Sequence, residues 1–436
     1  MTKRRHNLHI VWLAAALALS GCIGFDAIPT AAPPQSSAAL VTEPAKTSIV
    51  YARGMDETTG TSALLAAYNA QSEDVVVRYQ ELPSDSDGRH RQLMDILAAS
   101  GVEIDVFDAD IVWPAGFAAR GGVMPMDGYV QQEGIDLSNY WPGMISALTY
   151  QGILWGLPKT ASAGVLYYRT DLLDDAPATW QELITAAANA PEVRYGFVAG
   201  GANNDTLVSM ALELIYAYGG QVLDADGNVL IQTENAVTGL TRLRELYTSD
   251  FVPPDIRTVT DSDACMMFLN GEAAMMRNWP HAWAINRLTE TAAAGKFALA
   301  PLPAGDAGAS SVLGGAVMMM NAKTKHPDAV WDFMRFTAGK EGQTILAAEG
   351  GRVPALRSVM QLPEVVAGNP HFDDENFILA IENAVPRAVT PFYTNLSTIM
   401  QEELVRFLAF EQDAEATAAR IGARLHTLFY DETYYD

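Results

Sequence analysis

The alternation of strand-like and helix-like segments is the feature that most limits how this 436-residue chain can fold. Strand-like runs at 48–52 and 75–79 are each followed by apolar residues at helical spacing, and a third strand-like run begins at Val106. Strands that alternate with helices favour a parallel α/β sheet, in which ligands bind beyond the carboxyl ends of the strands. We therefore expect 53–57 and 108–113 to border a binding site.

The length of the chain predicts more than one domain. At roughly 150 residues per domain, two or three are expected. A second α/β pattern starts near Gly164, and Thr179 with Glu182 forms a capping box that opens a further helix. Apolar residues make up 49% of the chain, which is enough to bury a large core.

The first 47 residues resemble an export signal followed by a tether. Basic residues precede an apolar run at 10–19, which is too short to span a bilayer because spanning requires about 20 residues. The next residues, Leu-Ser-Gly-Cys22, resemble the lipobox of bacterial lipoproteins, in which the cysteine thiol is lipidated. We expect 1–21 to be a signal peptide and 22–47 to be the lipidated cysteine and a proline-rich tether. The folded part would then lie outside the cytoplasm, anchored to a membrane; an ordinary signal with an incidental cysteine is the alternative.

Charge and cysteine content exclude several classes of partner and site. The chain has 28 Lys and Arg against 52 Asp and Glu, a net charge of −24, so it repels phosphate backbones and nucleic acid is not an expected partner. Two cysteines cannot build a disulfide framework or a four-thiolate zinc site. Cys265 lies in an apolar patch and is expected to be a buried structural thiol.

The motifs of common enzyme classes are missing from the sequence. The seven histidines form no metal-ligand pair at helical spacing, and no nucleophile elbow, Walker A loop or dinucleotide fingerprint is present. Residues 224–228 resemble a calcium loop but lack its final glutamate, so they predict a hairpin turn. We therefore predict a binding protein without metal or cofactor; an extracellular glycosidase that uses two carboxylates is the alternative.

A set of segments in a fixed order carries a resemblance to a known family. They are 105–114, 154–158, 163–169, 270–283, 313–315 and 383–387. In this order they resemble family 1 extracellular solute-binding proteins of ATP-binding-cassette (ABC) importers, and especially the trehalose/maltose-binding branch. The resemblance implies a monomeric receptor that binds a di- or oligosaccharide and delivers it to the transmembrane subunits of an ABC permease.

The resemblance also implies a two-lobe, type II periplasmic-binding-protein-like α/β fold. Three hinge crossings would join the lobes, near 160–163, 277–282 and 321–325. The lobes would close over a ligand that contacts both of them. The expected N-terminal lobe is 48–160 plus 281–322, and the expected C-terminal lobe is 161–280 plus 323–436.

Positions that match the sugar-binding pattern of the branch form the candidate site. Acids and arginines suit sugar hydroxyls, and an aromatic ring suits the apolar face of a sugar. The candidates are Asp56, Glu57, Arg91, Asp110, Thr160, Ser162, Trp279, Gly315 and Arg352. Structural alternatives stand beside three of them: Asp110 could cap the following turn, Arg91 could be a solvated helix charge, and Trp279 could be a core residue at a hinge.

The sequence departs from the branch at three positions. Thr160 and Ser162 stand where the branch usually has an aromatic residue and an acid, and Ala316 stands where it usually has a tryptophan. Lys159 adds a positive charge that would suit an acidic or phosphorylated ligand. The alternative ligands within the same fold are therefore glycerol-3-phosphate, a polyamine or another polar solute, although the cations Lys159 and Arg91 argue against a polyamine.

Overall fold

A computed structural model describes residues 46–56, 58–190, 192–224, 227–288 and 290–430. The predicted signal peptide, Cys22, most of the predicted tether and the candidate Glu57 lie outside the described residues. Across these ranges, we find no helix with the length and apolar character needed to cross a bilayer.

The strands are mostly short, and three of them have eight residues. In chain order they are β1 (Thr47–Gly54), β2 (Val75–Leu82), β3 (Val106–Asp110), β4 (Thr149–Tyr150), β5 (Ile153–Leu154), β6 (Leu157–Ala163), β7 (Val165–Arg169), β8 (Tyr195–Val198), β9 (Ala273–Asn278), β10 (Phe297–Pro301), β11 (Ala304–Gly305), β12 (Gly308–Ala309), β13 (Leu313–Met320) and β14 (Val353–Pro354).

Helices connect most of these strands and form the last part of the described chain. In chain order they are α1 (Gly60–Gln71), α2 (Ser86–Ala98), α3 (Pro114–Ala119), α4 (Asp127–Glu133), α5 (Pro142–Leu148), α6 (Trp180–Ala188), α7 (Asp205–Ala217), α8 (Glu234–Tyr247), α9 (Asp261–Leu269), α10 (Ala282–Leu288), α11 (Pro327–Ala338), α12 (Lys340–Gly350), α13 (Pro363–Val366), α14 (Glu375–Glu382), α15 (Tyr393–Leu408) and α16 (Ala414–Tyr430). Short 3-10 helices occupy Leu137–Asn139, Ile256–Thr258, Arg357–Val359 and Pro370–Asp373.

Six strands form the first sheet, in the order β14-β6-β13-β3-β1-β2. Strand β1 pairs in parallel with β2 and β3, which confirms the parallel pattern predicted from the alternating segments. Strand β13 pairs antiparallel with both β3 and β6, so it enters the sheet from the opposite end. The last three residues of β13, Met318–Met320, are fully buried, as expected for a central strand covered on both faces.

Four strands form the second sheet, in the order β10-β7-β9-β8. Strands β8 and β9 are parallel, whereas β7 pairs antiparallel with β9 and with β10. Helix α9 packs on β8 and β9, and helix α7 packs on α8. Cys265 of α9 is buried in this part of the molecule, as predicted from its apolar neighbours.

The chain passes between the two sheets at three places. Gly164 separates β6 of the first sheet from β7 of the second. Residues 302–312 lead from β10 back to β13. Residues 383–392 lead from α14, which packs on β6 of the first sheet and β10 of the second, to α15, which packs on α7. Val312 and Val385 form a β-bridge, so the second and third crossings lie side by side.

The strand pairing differs from the expected division into lobes. Residues 277–282 do not cross between the sheets, because β9 and β10 on either side of them both belong to the second sheet. Residues 321–325 lead into α11, which packs on strands β6 and β13 of the first sheet. Apolar runs reveal where strands lie but not which sheet each one joins, since pairing partners are distant in sequence.

A buried histidine makes the stability of the fold sensitive to acid. The ring of His371 lies against those of Trp283, Phe372 and Phe377, and within the described residues neither ring nitrogen has a hydrogen-bond partner. Burial lowers the pKa of His371 to about 3, because the apolar surroundings disfavour the charged ring. Between pH 6.5 and 3 the unfolded chain therefore binds a proton that the folded chain does not, and stability falls as pH falls.

We predict that His371→Phe weakens this acid sensitivity. The loss of unfolding free energy between pH 7 and pH 5 should be smaller by about 2 kcal/mol than in the parent chain, because phenylalanine does not titrate. Urea unfolding at the two pH values measures the difference. The same substitution at exposed His426 is the control, and an unchanged pH dependence in His371→Phe would contradict the account.

Candidate ligand-binding cleft

A polar cavity of about 680 Å³ lies where the carboxyl ends of β1 and β3 meet the ends of the second sheet. This position agrees with the site edge expected at 53–57 and 108–113. The N-terminal ends of α2, α7 and α9 also reach the cavity. Within the described residues, no group of three or more histidine, cysteine or acidic side chains could hold a metal ion.

Six of the nine candidate residues line this cavity. They are Asp110, Thr160, Ser162, Trp279, Gly315 and Arg352. Asp56 does not line it but lies buried behind it, and Glu57 is outside the described residues.

The prediction for Arg91 differs from the structure. The Arg91 side chain is exposed and is not part of the cavity wall, whereas Arg89 lines the cavity. Residues two positions apart in a helix point about 200° away from each other around the helix axis, so the two arginines of α2 occupy nearly opposite faces. The Arg89 guanidinium packs over the ring of Trp113 at 5.4 Å and donates to the carbonyl oxygens of Pro83 and Ser84.

An ion-pair chain forms the wall of the cavity on the side of the first sheet. The Arg53 guanidinium contacts the Asp56 carboxylate at 2.7 Å, and Arg352 contacts the other oxygen of Asp56 at 3.0 Å. Burial alone would raise the pKa of Asp56, but the two guanidinium groups hold it well below its ordinary value. Arg53 also lies 3.4 Å from Asp108. The charge on Arg352 is therefore paired within the protein.

Lys159 lines the cavity, but its charge is also used within the protein. Its amine donates to the Asp108 carboxylate at 2.6 Å and to the hydroxyl of Tyr51. The side chain is only 2% exposed, and burial lowers the pKa of Lys159 to about 8. The expectation that Lys159 suits an acidic ligand is therefore not supported, because Asp108 already compensates its charge.

Arg387 joins the two sides of the cavity. It lies in the third crossing, and its guanidinium contacts Asp110 at the end of β3 at 2.9 Å and also Asp205 at the start of α7. Asp205 accepts further hydrogen bonds from Tyr393 at 3.0 Å and Ser397 at 2.6 Å. The buried Arg387 guanidinium thus contacts one carboxylate on the side of the first sheet and one on the side of the second sheet.

Asp110 has both the structural and the cavity-facing role that the sequence left open. Its carboxylate accepts a hydrogen bond from the backbone of Val112 at 3.2 Å, which caps the following turn. It also pairs with Arg387 and lines the cavity.

Trp279 lines the cavity from the second sheet, directly after β9. Its indole nitrogen donates to Asp261 at 3.0 Å, and the hydroxyl of Tyr167 fixes the adjacent backbone by donating to the carbonyl of Trp279 at 2.9 Å. A Cβ atom on Gly314 of β13 would lie 2.7 Å from the Trp279 ring, so the ring reaches the first sheet as well. Trp279 is therefore an interlobe residue at the cavity rather than a core tryptophan.

The glycine at 315 and the small side chains near it shape the opposite wall. Gly315 has a φ of 131°, and a side chain there would strike the carbonyl oxygen of Thr160. The Thr160 hydroxyl accepts from the backbone of Ala316 at 3.3 Å, so it is engaged within the sheet. This wall therefore consists of small groups and leaves space in the cavity.

Sequence reasoning missed several cavity residues as members of the site: Arg89, Asp205, Asp261, His281 and Arg387. Asp205 and Asp261 are the first residues of α7 and α9. An acidic residue at the start of a predicted helix was therefore the sequence signal that could have pointed to them. Burial lowers the pKa of His281 to about 3 and keeps its ring neutral. Nothing in a single sequence indicates that Arg387, about 280 residues from Asp110, would contact it.

Comparison with known proteins identifies the family. Residues 54–344 match the family model described as bacterial extracellular solute-binding protein. The chain belongs to this family. A relative from Deinococcus radiodurans, named probable ABC transporter-binding protein, is 30% identical over 337 residues, or 72% of this chain and 76% of the relative.

Solved structures of similar fold agree with this assignment. Maltose-bound MalE3 from T. maritima is 29% identical with a TM-score of 0.81, and the match covers 88% of this chain and 100% of that one. The GacH receptor of Streptomyces glaucescens, studied with acarbose, is 23% identical with a TM-score of 0.78, and the match covers 89% of this chain and 100% of the receptor. This solute-binding protein therefore has the two-lobe α/β fold that the sequence predicted.

We predict that Arg387→Met destabilises the protein strongly. The change leaves Asp110 and Asp205 without their shared cation, so the unfolding free energy should fall by about 3 kcal/mol. Urea unfolding measures it. The matched control is Arg335→Met, which removes an exposed ion pair with Asp332 and should cost less than about 1 kcal/mol. Equal losses in the two variants would contradict the role of Arg387.

Proposed function

We propose that this solute-binding protein is the receptor of an ABC importer and binds a neutral sugar in its interlobe cavity. The observation that carries the proposal is Trp279, an aromatic ring at a cavity whose wall also presents many charged and hydroxyl groups. A sugar presents hydroxyls around its edge and apolar C–H groups on its ring face, so it requires both kinds of surface. The maltose-bound structural neighbour and the ABC-associated relative support the same assignment.

The pairing of charges favours a neutral ligand over an anion. Four cations of the cavity wall, Arg53, Lys159, Arg352 and Arg387, each contact a carboxylate within the protein, and the whole wall has six aspartates against five arginines and lysines. Arg89 is the exception among the described cations of the cavity wall, since no carboxylate lies within ion-pair distance of it, and backbone carbonyls engage only its Nη1. A phosphorylated solute such as glycerol-3-phosphate would therefore meet a wall with no excess of positive charge.

The same pairing argues against a polyamine and against glycosidase chemistry. A polyamine requires several free carboxylates, whereas Asp108 and Asp110 are held by Lys159 and Arg387, and Asp85 and Asp261 already accept hydrogen bonds within the protein. A glycosidase requires one carboxylic acid that donates a proton and one carboxylate free to act. Asp110 and Asp205 face the cavity but share one guanidinium, so neither is poised for that chemistry. Binding without catalysis is the function that this arrangement supports.

Closure of the lobes would couple binding to transport. Only contacts that form in the closed state shift the equilibrium towards it, so the ligand must touch both sides of the cavity. Candidate contacts are Ser162 and Arg89 on the first side and Trp279 and His281 on the second. The closed receptor would then dock on the transmembrane subunits of the permease.

We predict selective binding of neutral sugars. In isothermal titration calorimetry against maltose, trehalose, maltotriose, glycerol-3-phosphate and spermidine, a neutral sugar should bind with micromolar affinity, worth about −8 kcal/mol. Trp279→Ala should weaken that binding tenfold or more, because the ring supplies the apolar platform. Trp155→Ala is the control, since Trp155 does not line the cavity. Tighter binding of glycerol-3-phosphate or spermidine than of every sugar would overturn the proposal.

We also propose that Cys22 carries a lipid that anchors the receptor at the outer face of a membrane. The basis is the lipobox resemblance, the apolar run before it and the proline-rich tether after it. Several acyl chains on one residue give stable anchoring, whereas a single chain binds marginally.

The anchor predicts how the full-length protein partitions in detergent. When it is expressed in a bacterium, the parent chain should enter the detergent phase of Triton X-114, and Cys22→Ala should remain in the aqueous phase. Cys265→Ala is the matched control and should partition like the parent. Recovery of Cys22→Ala in the detergent phase would argue against lipidation.

A further inference from the structure

We infer that Glu213 and Arg277 form a positioning pair that holds the Trp279 ring in place as a ligand platform and ties it to the hinge. That the Trp279 ring serves a ligand rests on the proposed function, whereas the contacts that hold the ring lie within the protein. Neither Glu213 nor Arg277 needs to touch the solute.

The pair is completely buried and bidentate. Both side chains are 0% exposed. The Arg277 guanidinium donates to the two Glu213 carboxylate oxygens, at 2.9 Å from Nε and 2.5 Å from Nη2. A buried pair of this kind has no solvent to compensate it, so each partner fixes the position of the other. Glu213 comes from α7 and Arg277 from β9, so the pair locks a helix to the second sheet.

The Arg277 guanidinium also lies over the ring of Trp279, the ligand platform. Its central carbon is 4.2 Å from the centre of the Trp279 ring, a cation–π distance. The ring is fixed at its edges by the hydrogen bond to Asp261 and by contact with Gly314. Arg277 therefore backs one face of the ring, and the ring borders the cavity with its remaining surface.

The same pair touches two of the three crossings between the sheets. A Cβ atom on Gly164 would lie 2.1 Å from a Glu213 carboxylate oxygen and 2.7 Å from Arg277, so the first crossing packs directly on the pair. The backbone N–H of Val312 in the second crossing points at the same carboxylate at 3.5 Å. Ser311 joins the two crossings by donating to the carbonyl of Gly164 at 2.9 Å.

These contacts place one rigid charge pair between the hinge and the platform. A change of backbone angle at Gly164 or Val312 during closure would displace Glu213. Through Glu213 it would also displace Arg277 and the Trp279 ring. The pair thus keeps the Trp279 ring in a fixed position relative to the crossings. It also lowers the conformational entropy that the ring loses when a solute binds.

The test combines ligand affinity with a thermodynamic cycle. The double variant Glu213→Leu/Arg277→Met removes the pair without leaving a lone buried charge, so it should fold. Its affinity for maltose, or for whichever sugar of the calorimetric panel the parent binds best, should fall at least tenfold. The triple variant that adds Trp279→Ala to this double variant should bind no more weakly than Trp279→Ala alone, because the pair acts through the ring.

Two further variants separate positioning from simple stability. Arg277→Lys keeps the charge opposite Glu213 but loses the flat face and the bidentate contact, so it should fold and still bind more weakly. Glu403→Leu/Arg424→Met removes another pair with a buried carboxylate, between α15 and α16 away from the cavity, and should leave affinity unchanged. Additive losses in the cycle, or parental affinity in both Arg277 variants, would overturn the inference.

A ligand-free readout distinguishes failure of this inference from failure of the proposed function. In protein labelled with 5-fluorotryptophan, the ¹⁹F resonance of Trp279, assigned by its absence in Trp279→Phe, should be single in the parent and shifted and broadened in Arg277→Lys. If no sugar binds the parent chain, the proposed function fails while this signal still tests the pair. An unchanged resonance in Arg277→Lys would contradict the positioning role.

Discussion

Ion pairing between buried side chains is the interaction on which the cleft depends. The cavity wall contains arginines, a lysine and aspartates that are mostly shielded from water, and an isolated charge in such a place costs several kcal/mol. Pairing removes that cost for Lys159 with Asp108 and for Arg387 with Asp110 and Asp205. The cavity can therefore be polar and firmly shaped at once, which a neutral, hydroxyl-rich solute requires.

The charge pairs lie where the fold must combine rigidity with motion. Arg387 occupies the third crossing and holds one carboxylate from each side of the cavity. The Glu213–Arg277 pair packs against the first and second crossings. Each crossing is therefore in contact with a fixed charge next to the binding cavity. Hinge bending and solute binding then act on the same side chains, which is the requirement for a receptor whose closed form signals that it is loaded.

Local sequence patterns predicted the elements of the fold better than their arrangement. The alternation of strand and helix between residues 48 and 112 predicted the parallel strands β1–β3, because spacing of apolar residues reports burial directly. The same reasoning did not place β10 in the second sheet or α11 on the first, since pairing depends on partners far along the chain.

In the candidate site, too, residues within recognisable segments were predicted, whereas contacts between residues far apart in the sequence were not. Trp279, Asp110 and Arg352 were found by resemblance and line the cavity. Arg91 was predicted to belong to the site, but Arg89, two positions earlier, lines the cavity. A resemblance to the family indicates which helix reaches the cavity but not which face of that helix does so. Arg387 was seen only as part of a family segment, and its contacts with Asp110 and Asp205 exist only in three dimensions.

Under the proposed function, a neutral sugar draws the two sides of the cavity together. Spin labels on Arg91→Cys of α2 and Met266→Cys of α9, exposed residues that do not line the cavity, would report this distance in a chain whose Cys22 and Cys265 are replaced by alanine. Pulsed electron paramagnetic resonance should show a shorter and narrower distance distribution when maltose, or the sugar bound best in calorimetry, is added. A distribution that stays the same at saturating sugar would contradict the account.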